Sequence, residues 1–160
     1  MRASTRAPHP GRLAVMDKPT EVARKPRADS QLSGLAGEFF AAAELLKREI
    51  QASVTLGNAK AIDLFAHNPR TGKKFTVQVK TLRSDNYFLI DPKKVSREHV
   101  YVFVLLNKPD QAVRYFVVPG DVLLDEQARF GKGFQDPKLA GILPRDLKDF
   151  EGKWGVFESQ

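Results

Sequence analysis

The chain has no cysteine among its 160 residues. That excludes disulfides, thiolate metal centres and cysteine nucleophiles, and it accords with a reducing, cytoplasmic setting. Long apolar runs are missing too: no stretch approaches the ~18 residues that a membrane-spanning helix needs, so no membrane partner is expected. The opening MRASTRAPHPGRLAVMDKP is basic but carries no continuous apolar segment, so it does not read as a secretory signal. There is no internal repeat, and no Ser-His-Asp arrangement can be argued from spacing. The length suits one domain with a core of its own and is short for two.

What is present is positive charge. Lysine and arginine total 26 against 19 acidic residues, a formal net charge of +7. A basic domain attracts polyanions, of which nucleic acids are the commonest. Residues 1–30 concentrate Pro8, Pro10, Pro19 and Pro26 with Arg2, Arg6, Arg12, Lys18, Arg24, Lys25 and Arg27, without hydrophobic periodicity. We expect a disordered basic tail there, and a single domain over residues 31–157.

Within that domain, Leu35, Phe39, Ala42, Ala43, Leu46 and Ile50 recur at helical spacing and predict a helix over residues 32–50. They form one apolar stripe, the face that such a helix turns to a core. A strand is expected over 52–56, a turn at Gly57-Asn58, a second strand over 61–66 and a turn over 68–72. Residues 74–82 alternate, with Phe75, Val77, Val79 and Thr81 on one face and Thr76, Gln78 and Lys80 on the other. A short strand over 87–90 follows. The run VYVFVLL at 100–106 predicts a strand buried on both faces, paired as a hairpin with 113–118. A helix over 121–128, a loop around Gly131-Lys132-Gly133, a short helix after Pro144 and a strand-like 154–157 complete the pattern. This is an α/β (α+β) domain, a mixed sheet flanked by helices.

Four polar residues stand out against this apolar pattern. Glu38 lies at the flank of the helical stripe. Asp63 interrupts a strand of Ala, Ile, Leu and Phe, although aspartate is a poor strand former. A buried carboxylate must be paired, hydrogen-bonded or bound to a cation. Gln78 and Lys80, two apart in one strand, share a face. A hairpin across the 68–72 turn brings Asp63 close to both. An acid and an amide oxygen can hold Mg²⁺, and a neighbouring ammonium can sit against a phosphate oxygen. Together these are tools for phosphodiester hydrolysis. The plainer readings are a helix-start acid, a strand-end aspartate and a solvated lysine.

The pieces Gly37-Glu38, Ile62-Asp63-Leu64 and Val77-Gln78-Val79-Lys80 resemble the PD-(D/E)XK nuclease superfamily, which includes restriction endonucleases and resolvases of four-way DNA junctions. The resemblance covers roughly residues 31 to 118. It implies a restriction-endonuclease-like core in αβββαβ order, with Glu38 from the helix, Asp63 from the second strand and Gln78-x-Lys80 from the third. Gln78 stands where the superfamily usually has an acid. A glutamine variant is known there, but the site has one fewer anion for metal. The resemblance implies a Mg²⁺- or Mn²⁺-dependent nuclease hydrolysing DNA, with RNA as the other substrate, and homodimers as a common assembly. The rival readings are a catalytically inactive nucleic-acid-binding module and a nuclease-fold interaction protein. Lys60, Arg70, Lys73, Lys74, Arg83, Lys93, Lys94 and Arg97 are the candidate phosphate contacts. His67 and His99 read as ordinary surface or satisfied histidines, Tyr87 and Tyr101 as core with substrate contact as the alternative, and Trp154 as a packing anchor.

Overall fold

The apolar segments collapse onto a five-stranded sheet in a computed structural model that describes residues 27–55 and 62–159. Helix α1 (Arg27–Lys47) precedes β1 (Gln51–Val54), β2 (Leu64–His67) and β3 (Lys74–Leu82). After these come β4 (Phe88–Leu89), a 3-10 turn at Pro92–Lys94, β5 (His99–Leu105), β6 (Arg114–Pro119), α2 (Gly120–Asp125), α3 (Lys132–Gln135) and β7 (Gly141–Ile142). The strand order is β1-β2-β3-β5-β6. The β3–β5 pair is parallel and the other neighbours are antiparallel, so the sheet is mixed, as expected. Strands β4 and β7 pair with each other in a separate small ladder.

Side-chain alternation divides the core into two layers. Leu64, Val77, Val79, Val100, Val102 and Val104 meet Ala41, Ala42 and Leu45 of α1 on one face. On the other, Tyr101, Phe103, Phe116 and Val118 pack with Phe88, Leu123, Phe130, Phe134, Ile142 and Leu147. Strand β5 is therefore buried on both faces, as its unbroken apolar run predicts. The β2–β3 turn is pinned by Asn68, which is fully buried. Its side-chain oxygen accepts from the amides of Arg70 and Thr71, and its Nδ2 donates to the carbonyl of Phe157 at 2.8 Å. Gly72 supplies the left-handed residue of this turn (φ 73°).

Several expectations need correction. The stripe assigned to the core is mostly on the outside: Leu35, Phe39, Ala43 and Leu46 are exposed, while Ala41, Ala42, Leu45 and Ile50 are buried. The αβββαβ order places a helix between the third and fourth core strands, yet residues 83–98 carry only β4 and a 3-10 turn. Gly131 adopts φ 77° and starts the one-turn α3, so this stretch is not a plain loop. Residues 154–157 form a 3-10 turn, because Trp154 and Phe157 reach the core through a turn and not by pairing. Helix α1 begins at Arg27, inside the expected tail; residues 1–26 lie outside the described residues, as does the turn expected at Gly57-Asn58.

Candidate active site

The site is organised where β2 ends and β3 continues. The register pairs Leu64 with Val77 and Phe65 with Thr76, so Asp63, one residue earlier, falls opposite Gln78. The Asp63 amide still donates to Val77 O at 2.9 Å, and its carbonyl accepts from the Thr55 amide of the β1 side. Beyond this point β3 has outrun its neighbour. The carboxylate takes over the role of the missing strand: Asp63 Oδ2 accepts from Val79 N at 2.7 Å. This bond fixes the acid between the positions of Gln78 and Lys80, and it supplies a reason for an aspartate at a strand end.

Glu38 reaches the same end of the sheet from α1. The helix can come this close because residue 37 is glycine. A Cβ at Gly37 would overlap the side chain of Thr81 on β3. Glu38 is partly buried, and its carboxyl is pushed above the usual carboxylate range, first by burial and then by the negative charge of Asp63. The two acids are thus near enough to feel each other's charge, a repulsion that a bound cation would relieve. Arg83, just past β3, donates from Nε to Ser33 Oγ at 2.6 Å and ties the strand end to α1.

Gln78 is buried and Lys80 half-buried on the sheet face away from α1. Both line a cavity of about 450 Å³, shared with Asp91, Lys94 and Tyr101. Asp91 caps the 3-10 turn by accepting from Lys93 N at 3.0 Å. Burial raises the Tyr101 phenol above its ordinary pKa, and its oxygen accepts from the Ser96 amide. A separate open concavity of about 390 Å³ lies where the half-exposed Phe65 stands between its strand neighbours Ser53 and Thr76.

Among the described residues, no three His, Cys, Asp or Glu side chains gather as a metal-holding group. The site offers two carboxylates, Glu38 and Asp63, and Gln78 stands opposite Asp63 in the strand register with its amide on the sheet face away from α1. All are hard oxygen donors, and one or two protein carboxylates are what a Mg²⁺ site in phosphate chemistry usually has. The donor set therefore fits that ion.

The basic candidates divide by position. Lys94 lies at the cavity with Lys80, and Lys93 lines a neighbouring cavity with Pro92 and Gln127. Arg70, Lys73 and Lys74 sit at the opposite end of β3, roughly 20 Å from Lys80 along the strand. Of these, Lys73 donates to Ser159 O and Lys74 borders the Phe65 concavity. Arg97 makes a two-point ion pair with Asp125. Lys60 lies outside the described residues. His67 and His99 are hydrogen-bonded, His67 with Gln51 and His99 with Thr76.

Asp91 and Phe65 do not stand out in the sequence, and Tyr101 reads there first as core, with substrate contact as its second reading. Asp91-Pro92 signals a helix cap, but nothing local tells that the cap faces Lys80. Phe65 reads only as one more apolar strand residue.

No family model matches the chain, and no curated protein matches it. Among solved structures, a bacterial homing endonuclease, I-Ssp6803I, superposes with a TM-score of 0.50 at 18% identity, covering 81% of this chain and 93% of that one. The chain shares its fold with an endonuclease. At that identity the likeness concerns the backbone: a mixed sheet with flanking helices, on which this chain mounts Asp63, Gln78, Lys80 and Glu38. No helix among the described residues is long and apolar enough to cross a membrane.

Proposed function

We propose that this chain is a Mg²⁺- or Mn²⁺-dependent nuclease that hydrolyses DNA phosphodiester bonds. The observation that carries the reading is the Asp63 carboxylate, held by the Val79 amide between Gln78 and Lys80 with Glu38 alongside. Asp63 keeps its second oxygen for the metal. Glu38 adds charge from the helix, and Gln78 offers its side-chain oxygen. When bound, the ion supplies charge neutralisation at the phosphate and lowers the pKa of a water. Lys80 rests its ammonium against a phosphate oxygen and stabilises the charge that builds there. Water oxygen bonds to phosphorus, one phosphorus–oxygen ester bond breaks, and the departing oxygen gains a proton while the water loses one. A nucleic-acid backbone is favoured by the net charge of +7 and by Lys94 at the same cavity; DNA is the first substrate to test and RNA the other.

Cleavage of linear, supercoiled and branched DNA, with Mg²⁺, Mn²⁺ or chelator, tests this directly. We expect metal-dependent cutting that falls by at least about 10³-fold in Asp63→Ala and Lys80→Ala, with DNA affinity largely kept. Cutting that survives Asp63→Ala rules out the site. A second reading, an inactive DNA-binding module, draws on Gln78 replacing an acid. It predicts salt-sensitive binding without cutting. Gln78→Glu adds an anion and should tighten metal binding in calorimetry.

A further inference from the structure

A helix packed on a sheet needs one apolar face, and α1 has two. Gly37, Ala41, Ala42 and Leu45 face the sheet and are buried. On the far side Leu32, Leu35, Phe39 and Leu46 are 60, 40, 55 and 55% exposed, and Phe40 on the flank is 43% exposed. These five are most of the large apolar side chains that the described residues leave in water. No charged residue interrupts the outer stripe. A second apolar face left in water on a surface helix marks a place where something else packs.

The spacing indicates what covers it. Leu32, Phe39 and Leu46 lie seven residues apart, with Leu35 three beyond Leu32 and Ala43 filling the gap before Leu46. The spacing keeps these side chains on one continuous outer stripe along which a second helix can pack, although the heptad is not strict, since Ala42 faces the sheet. The stripe extends about 21 Å, from Leu32 to Leu46. The five side chains together expose on the order of 500 Å², at the upper end of what a monomer leaves open. With their polar margins they approach the roughly 800 Å² per partner of a stable interface. A seam of this kind is self-complementary about a two-fold axis.

We propose that the outer face of α1 is a dimer interface and that its occupant is the same face of a second copy of this chain. Phe39 lies midway between Leu32 and Leu46, so it meets its own counterpart whether the two helices run parallel or antiparallel. Leu46 meets its counterpart only if they run parallel.

Sedimentation of the full chain tests the proposal. We expect a dimer, twice 17.9 kDa, at micromolar concentration. Phe39→Glu should weaken the dimer at least about a hundredfold while leaving the far-UV spectrum and the melting temperature of the dilute monomer unchanged. Because the chain lacks cysteine, single substitutions report contacts directly. Phe39→Cys should oxidise to a covalent dimer, and Lys153→Cys, exposed elsewhere, should not. This readout stands even if Phe39→Glu fails to fold. Three results each overturn the proposal: a monomer at every concentration up to about 100 µM; a dimer indifferent to Phe39→Glu and not cross-linked through Phe39→Cys; and a monomer in which the new thiol of Phe39→Cys resists alkylation, which would mean that another segment of the same chain covers the stripe.

Discussion

Leu45 and Leu46 are neighbours on α1 and opposites in environment: Leu45 is fully buried under the sheet, and Leu46 is 55% exposed. The contrast extends along the helix. The inner face is built of glycine and alanine with a single leucine, the outer face of leucine and phenylalanine. Size runs opposite to burial because the inner face must come close. Gly37 sits on Thr81, and only small residues let the helix approach near enough to bring Glu38 beside Asp63. Among the described residues the outer face meets no strand, and it carries the bulk. The difference teaches that burial in one copy is set by distance of approach, whereas large side chains on the far side signal a partner.

The sharpest way to break this comparison is to shorten each leucine. Leu45→Ala should cost about 2–5 kcal/mol of folding stability, since it opens a cavity beneath the helix. Leu46→Ala, measured on dilute protein by urea unfolding, should change stability by about 0.5 kcal/mol or less. Equal costs would mean that the outer stripe is covered within one chain. A smaller effect is expected from Gly37→Ala. Its methyl collides with Thr81, so α1 must lift, at about 1–3 kcal/mol, partly offset by the better helix propensity of alanine. Thr81→Ala in the same chain should recover some of that loss, a coupling that a double-mutant cycle reads. If the two changes simply add, Gly37 is not the contact that sets the approach.

The smallest effect concerns charge at the inner face. The folded state raises the pKa of Glu38 above its unfolded value, so the folded state holds this proton more tightly. Stability contributed by the protonated form is present at acid pH and is lost as pH rises through the raised value. Glu38→Gln should therefore raise the melting temperature modestly near pH 7 without metal and change it little near pH 4. If Mg²⁺ sits between the two acids, its addition should stabilise the native protein more than Glu38→Gln. An unchanged melting temperature at pH 7 would mean that Glu38 is better solvated than its contacts suggest.

Much of this was legible in the sequence. Alternation over 74–82 gives β3 from its first residue to its last, because a period of two is unambiguous over nine residues. The 68–72 turn then forces Asp63 opposite Gln78, so the register that relates three of the four candidate residues follows from local rules. Glu38 came from its match to a motif. The facing of α1 was not legible: both stripes have helical period, and periodicity weights the larger residues. Neither was the place of Asp91, since its neighbourhood with Lys80 and Lys94 depends on how residues 83–98 cross over the sheet.

Asn68 adds a consequence in time. Its side chain braces the β2–β3 hairpin by donating to a carbonyl 89 residues further along the chain. During synthesis at about 5–20 residues per second, the ribosome has therefore made Asp63, Gln78 and Lys80 on the order of ten seconds before it makes the brace. Until Phe157 emerges, a buried amide at the hairpin has no mate. The nascent chain holds all four proposed catalytic groups well before their scaffold is fastened, so a nuclease built this way would cut only once Phe157 is in place.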